Sequence, residues 1–89
     1  LPKEEIQKNF TQVSGWQLRE NKILKEFKFK DFKKALDFVN RMAAIAESEG
    51  HHPDIYIFYN RVKLELWTHA AGGLTENDFI LAAKIDAMG

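Results

Sequence analysis

The chain has 89 residues, 45% of them hydrophobic and 29% charged, with thirteen acidic and thirteen basic side chains and no cysteine. This length supports one hydrophobic core and predicts a single domain over residues 1–89, small enough to favour self-association. The balanced charge argues against direct binding to nucleic acid or a membrane surface, and the lack of cysteine excludes disulfides, thiol nucleophiles and thiolate zinc sites. No apolar run reaches the roughly 18 residues of a membrane-spanning helix, and the first residues do not resemble a secretion signal, so we expect a cytoplasmic protein.

The chain begins with a pattern typical of a short amphipathic helix, which we predict over residues 2–12. Pro2 suits the first turn of a helix, where its missing N–H costs no hydrogen bond. The two acidic residues that follow complement the positive end of the helix dipole. Apolar residues then recur at helical spacing. They are Ile6, Phe10 and Val13.

A β-hairpin is predicted next. Apolar and polar residues alternate from Trp16, as in a strand with one buried face, and Glu20-Asn21 offers a tight turn. Alternation resumes in the second strand of the hairpin, which carries two phenylalanines. The pair Ile23-Leu24 interrupts the alternation and predicts a β-bulge.

The second helix has the longest periodic pattern. Asp31 can cap its first turn, and Gly50 readily adopts the left-handed conformation that ends many helices. Apolar residues follow the spacing of one helix face, which we expect to face the core. They are Phe32, Ala35, Leu36, Val39, Met42, Ala43 and Ala46. Phe38 and Ile45 lie off this stripe, which predicts an exposed apolar surface for self-association or for a protein partner.

Two strands and a third helix complete the chain. Residues 55–59 are predicted to form a strand, and a second strand alternates from Val62 to His69, with His69 on its more polar side. Thr75 and Asp78 have the spacing of a capping box, which predicts the start of the third helix. The order helix, strand, strand, helix, strand, strand, helix predicts an α+β fold, with a four-stranded antiparallel sheet and three helices packed on one face.

All three histidines fall between Glu47 and Asp78. His51 and His52 lie in the connection after the second helix, and His69 is predicted at the end of the fourth strand. An imidazole with its usual pKa of about 6.5 can give or take a proton near neutrality. If the sheet closes as predicted, these two segments meet, and the histidines form a candidate acid/base site.

Each of these residues also has a structural explanation. Imidazoles after a helix can stabilise its negative end, and a histidine at a strand end is commonly a surface residue. Glu47 can be an exposed helix carboxylate, and Asp78 can be a helix cap, a site residue or both. Tyr59 and Trp67 can serve packing or subunit contacts rather than ligand stacking.

A zinc site is an alternative, because three histidines and a carboxylate can bind zinc. His51 and His52 are adjacent in an extended segment and therefore point apart, which places them badly for one ion. No HExxH spacing occurs, and the chain has no recognisable serine nucleophile or phosphate-binding loop. We therefore predict no metal.

The residues of this stretch recur in a specific spacing. The pattern is Glu47-x3-His51-His52-Pro53-x5-Tyr59-x9-His69-x8-Asp78. It resembles the signature of the pterin-4a-carbinolamine dehydratases, a family also described as dimerisation cofactors of a hepatocyte nuclear factor. Gly15-Trp16 and the run from Thr68 also look like family positions, so the resemblance extends over most of the chain.

The resemblance implies an enzyme of tetrahydrobiopterin recycling that converts 4a-hydroxytetrahydropterin to quinonoid dihydropterin without metal or organic cofactor. It implies that His51 and His69 act as acid and base on the leaving hydroxyl, and that His52 holds the ring near N5 and C4a. Further residues would orient the imidazoles or contact the pterin. They are Glu47, Pro53, Thr68, Ala70, Ala71 and Asp78.

The resemblance also implies partners. We expect a homodimer or homotetramer. The alternative function is that of a transcriptional coactivator, which would stabilise a transcription-factor dimer through the second helix and would also place the protein in the nucleus.

Overall fold

A computed structural model, which describes residues 2–88, confirms the predicted α+β architecture. Its elements are α1 (Lys3–Phe10), β1 (Gln17–Arg19), β2 (Lys22–Lys28), α2 (Phe32–Glu49), β3 (Asp54–Phe58), β4 (Arg61–Leu66), a 3₁₀ turn (His69–Ala71) and α3 (Glu76–Asp86). The strands form one antiparallel sheet in the order β1-β2-β4-β3. Within the described residues, no helix is both long enough and apolar enough to cross a lipid bilayer.

The core lies between one face of the sheet and the helices. Val62, Leu64 and Leu66 of β4 are fully buried on this face, and Ile23 pairs with Leu66 from the neighbouring strand. Helix α2 packs on β4, α3 packs on α2, and α1 packs on α3. The opposite face of the sheet carries charged residues at alternate positions, as expected for an antiparallel sheet with one open side.

Strand β2 has no bulge, so the predicted interruption at Ile23-Leu24 is wrong. From Ile23 to Lys28 the strand pairs residue by residue with β4. The alternation fails because Lys25 occupies a position on the core face. Its ammonium group donates hydrogen bonds to Asp86 at 2.9 Å and to the carbonyl oxygen of Ser14 at 2.7 Å. An inward lysine with partners thus replaces the expected apolar residue.

Helix α2 has the predicted ends. The Asp31 carboxylate accepts a hydrogen bond from the Lys34 backbone N–H at 2.9 Å, and Gly50 adopts a φ of 63° after the last turn. The buried side agrees with the predicted stripe only in part, because Phe32, Leu36 and Ala43 are exposed and Phe38 is buried. Its fully buried members are Ala35, Phe38, Met42 and Ala46.

The expectation that Phe38 is exposed is therefore wrong. Phe38 is only 5% exposed, because its ring packs against Phe27 at 4.7 Å and Phe29 at 5.0 Å between ring centroids. Ile45 also packs against the core, whereas Phe32 at the start of the predicted stripe is 47% exposed. Packing against these two rings places Phe38 on the buried side of α2, which the sequence pattern did not predict. The predicted surface formed by Phe38 and Ile45 does not exist.

Two boundaries in the second half of the chain are shifted. Tyr59 belongs to the turn between β3 and β4, with a φ of 54°, instead of ending the strand. Strand β4 ends at Leu66, so the prediction that His69 belongs to the strand is wrong. His69 begins a 3₁₀ turn, because the Thr68 backbone N–H donates to the Gly73 carbonyl at 2.9 Å and closes a short loop.

Candidate active site

A cleft of about 390 Å³ opens where the chain leaves α2 and where it leaves β4. It is lined by residues 50–54 and by residues 67–69. The two segments meet because β3 and β4 pair antiparallel, with Asp54 opposite Glu65, so that the start of one strand lies beside the end of the other. All three histidines of the chain therefore line one cleft.

His51 is held by a buried carboxylate. Its Nε2 lies 2.5 Å from Oδ1 of Asp78, whose side chain is fully buried. The other carboxylate oxygen accepts hydrogen bonds from the Thr68 hydroxyl at 3.0 Å and from the Thr75 backbone N–H at 2.9 Å. An ionised carboxylate only accepts hydrogen bonds, so Nε2 of His51 carries the proton, and among residues 2–88 Nδ1 has no hydrogen-bond partner.

Asp78 thereby joins two functions that the sequence left as alternatives. The capping box with Thr75 is present, which confirms the predicted start of α3. The same carboxylate reaches back to His51, so the helix cap also orients an imidazole of the cleft. Burial of Asp78 is compatible with its charge because its oxygens accept three hydrogen bonds.

His52 is held at the surface. Its Nε2 lies 3.0 Å from Oε2 of Glu47 in the last turn of α2, and the two side chains are 60% and 80% exposed. Exposed pairs of this kind are screened by water and contribute at most about 1 kcal/mol. The ring of His52 is therefore less firmly held than that of His51.

His69 is held by an aromatic contact. Its ring centroid lies 4.0 Å from that of Trp67, with an angle of 39° between the planes. Within residues 2–88, no hydrogen bond reaches the His69 imidazole.

The indole N–H of Trp67 donates to Oδ2 of Asp54 at 3.4 Å, and the ammonium of Lys22 lies 5.8 Å from the indole centroid. Glu65 accepts a hydrogen bond from this ammonium at 3.2 Å and raises the pKa of Lys22 above its usual 10.5.

The other predicted site residues fall into two groups. Pro53 and Thr68 line the cleft, and Glu47 contacts it through His52. Ala70 and Ala71 are exposed on the 3₁₀ turn and do not line the cleft.

Three residues that line the cleft were not predicted as site residues. The sequence favours packing or subunit contacts for Trp67, indicates only a helix end at Gly50 and does not single out Asp54, yet all three line the cleft. The available signal was spacing, because residues two positions apart in an extended segment point to the same side. Trp67 lies two positions before His69.

No metal site is formed by the part of the chain that the structure describes, since no three histidine or carboxylate side chains are grouped to hold an ion. His51 and His52 each face a different carboxylate. The imidazoles of His51 and His52 are therefore oriented by separate carboxylates.

Comparisons with known proteins identify the family. The family model for pterin 4 alpha carbinolamine dehydratase matches residues 1–88. The chain is 50% identical to pterin-4-alpha-carbinolamine dehydratase 2, mitochondrial, of Arabidopsis thaliana, with 99% of this chain aligned but only 50% of the relative. It is 46% identical to a putative pterin-4-alpha-carbinolamine dehydratase of Sulfolobus acidocaldarius, covering 97% of this chain and 94% of the relative.

Similar solved structures support the same family assignment. A crystal structure described as a transcriptional coactivator/pterin dehydratase from Brucella melitensis superposes with a TM-score of 0.92 at 38% identity, covering 98% of this chain and 95% of that one. A pterin dehydratase-like protein described as a RuBisCO assembly factor of the alpha-carboxysome superposes with a TM-score of 0.69 at 25% identity, covering 85% and 90%. The chain belongs to the pterin-4a-carbinolamine dehydratase family, a family of dehydratases.

Proposed function

We propose that this chain dehydrates a 4a-hydroxytetrahydropterin to the quinonoid dihydropterin, a step in tetrahydropterin recycling. The observation that carries the proposal is that three imidazoles line one cleft and differ in how they are held. A cleft of about 390 Å³ is within the usual range for small-molecule sites. The names of the relatives at 50% and 46% identity support the same substrate class.

The reaction requires one acid and one base. The C4a–O bond breaks, and the oxygen takes the bonding electron pair and a proton to leave as water. N5 loses its proton, and its electron pair forms the N5=C4a double bond. The substrate is neither oxidised nor reduced, so groups that transfer protons are sufficient for this chemistry.

We assign His51 and His69 to the leaving hydroxyl and His52 to the ring near N5 and C4a. His51 suits a fixed role, because Asp78 binds its Nε2 and leaves Nδ1 for the cleft. His69 suits proton transfer, because neither of its ring nitrogens is hydrogen-bonded within the described residues. The exposed His52 can adjust to the ring as it enters.

The remaining site residues would support these groups. Glu47 and Asp78 would orient the imidazoles, since each carboxylate faces the Nε2 of one ring. Backbone groups near Pro53 and from Thr68 through Ala70 to Ala71 would contact the amide edge of the pterin. This contact requires the substrate to extend from the cleft over the 3₁₀ turn.

The test follows the decay of enzymatically generated 4a-hydroxytetrahydropterin by absorbance. The wild type should accelerate the decay, and His52→Ala and His69→Ala should each lose on the order of 10² to 10⁴ in rate. Lys33→Ala is the control, because this exposed side chain lies at the start of α2, at the opposite end of the helix from the cleft. A wild type without effect, or histidine variants as active as the control, would contradict the proposal.

A coactivator function is the second candidate, favoured by the description of the Brucella structure. The large apolar side chains that α2 leaves exposed are Phe32 and Leu36 rather than Phe38. A partner of α2 would therefore contact that side. Leu36→Lys should abolish coactivation of a reporter gene while dehydration persists, and unchanged coactivation would argue against this surface.

A further inference from the structure

The two tryptophans of the chain have similar polar partners but differ in burial. In each case the indole N–H donates to an aspartate and a lysine ammonium lies within 6 Å of the ring. The two sets are Trp16 with Asp86 and Lys25, and Trp67 with Asp54 and Lys22. Trp16 is buried in the core, whereas Trp67 is half-buried, lines the cleft and carries an imidazole on its ring.

The backbone places Trp67 and His69 on the same side. Thr68 between them is extended, with φ −101° and ψ 106°, so its own side chain points the opposite way. That side chain hydrogen-bonds the buried Asp78 and the Thr75 hydroxyl. Thr68 is thus anchored on the inner side, and its two neighbours project into the cleft.

We propose that Trp67 is a positioning residue that holds the His69 imidazole in the cleft, and that Asp54 holds the indole in turn. His69 lies on an exposed turn and its imidazole has no hydrogen bond within residues 2–88, so the ring contact at 4.0 Å is what restricts the imidazole. Asp54 limits the indole from the β3 side through the bond at 3.4 Å. Lys22 lies over the ring from the β2 side.

Positioning matters for rate because a misplaced proton donor reacts poorly even when it is chemically intact. An imidazole that already lies against a fixed indole loses less freedom when the pterin binds than one that rotates in solvent. The kinetic part of this inference rests on the proposed function. The structural part, that Trp67 fixes His69, does not.

The structural part is tested by NMR of the histidine rings. The ring current of Trp67 should displace the His69 ring-proton resonances in the wild type, and Trp67→Leu should return them to the positions of a solvent-exposed histidine. Trp16→Phe is the matched control, since it alters the other tryptophan and leaves the cleft intact. Resonances of His69 that do not change in Trp67→Leu would overturn the inference.

The kinetic part uses graded variants. Trp67→Leu should lower kcat about 10- to 100-fold with a smaller change in KM. Trp67→Phe keeps a ring but loses the N–H, so its kcat should fall only a few-fold. Asp54→Ala should lower kcat as much as Trp67→Phe does. The double variant should have the same kcat as either single variant, because both changes remove the same hydrogen bond. Asp54→Asn, which keeps an acceptor oxygen, should restore the rate.

The outcomes separate the two proposals. A wild type that does not accelerate dehydration overturns the proposed function, and the His69 resonances alone then decide whether Trp67 is a positioning residue. An active wild type with unchanged kcat in Trp67→Leu overturns the positioning inference and leaves the proposed function standing.

Discussion

His51 and Asp78 are 27 residues apart in the chain, yet their side chains meet at 2.5 Å between Nε2 and Oδ1. Asp78 is also the third residue of α3, where its carboxylate caps the helix through the Thr75 backbone N–H. The residue that caps α3 therefore also belongs to the candidate active site. Any change at Asp78 acts on both the helix and the imidazole.

The two roles of Asp78 can be separated by substitution. Asp78→Asn keeps the shape of the side chain, but an amide has only one acceptor oxygen. Its N–H₂ group must then face either the N–H of the His51 ring or the backbone N–H of Thr75, so that two donors meet. With the amide oxygen at the cap, His51 must accept through Nε2 and carry its proton on Nδ1. We expect kcat for dehydration to fall about 10- to 100-fold, as for other carboxylates that orient a histidine.

Thr75→Ala is the matched control for this prediction. It removes the cap hydroxyl, which should cost about 1 kcal/mol of unfolding free energy in urea, and it leaves the His51 contact in place. Its rate should stay near that of the wild type. If Asp78→Asn also keeps the wild-type rate, Asp78 is only a helix cap.

Asp86 is expected to stabilise the fold without affecting the site. Its carboxylate accepts hydrogen bonds from the indole N–H of Trp16 at 3.0 Å, the Lys25 ammonium at 2.9 Å and the Ser14 backbone N–H at 3.0 Å. Asp86→Ala leaves these donors without their shared acceptor, so we expect the free energy of unfolding to fall by about 2 kcal/mol.

Urea unfolding measures this loss, and dehydration by the folded variant should be unchanged because none of these residues lines the cleft. Asp37→Ala, at an exposed carboxylate of α2, should change stability by no more than about 0.5 kcal/mol. Equal effects of the two variants would show that the cluster around Asp86 does not stabilise the protein.

The edge strand β3 predicts how two copies associate. Its central residues Ile55, Tyr56, Ile57 and Phe58 are 39% to 45% exposed, and the strand lies at the edge of the sheet. Neither lysine nor proline occurs from Asp54 to Phe58, although such residues commonly protect edge strands from pairing. We therefore expect β3 to pair with β3 of a second copy.

Light scattering at micromolar concentration tests this association. The wild type should be a dimer or larger, and Ile57→Lys should shift it toward the monomer by placing a charge at the interface. Ile80→Lys is the control, because Ile80 on α3 is 44% exposed but lies outside the sheet edge. A monomeric wild type, or equal behaviour of both variants, would exclude pairing through β3.

The sequence correctly predicted features that depend on neighbouring residues. The cap at Asp31, the left-handed Gly50 and the capping box of Thr75 with Asp78 all involve groups within a few positions of each other. The burial of Phe38 on α2 could not be predicted in this way. The predicted stripe includes the buried Ala35, Met42 and Ala46, but Phe38 is buried as well, because its ring packs against Phe27 and Phe29.

The same distinction applies to the candidate site. The order of the elements and the two segments that carry the histidines could be predicted from the sequence, because periodicity and turn chemistry are local. The meeting of His51 with the buried Asp78, the departure of His69 from the strand and the contact of its ring with Trp67 became visible only in the folded chain. Strand pairing and loop closure make these contacts, and both depend on residues distant in the chain.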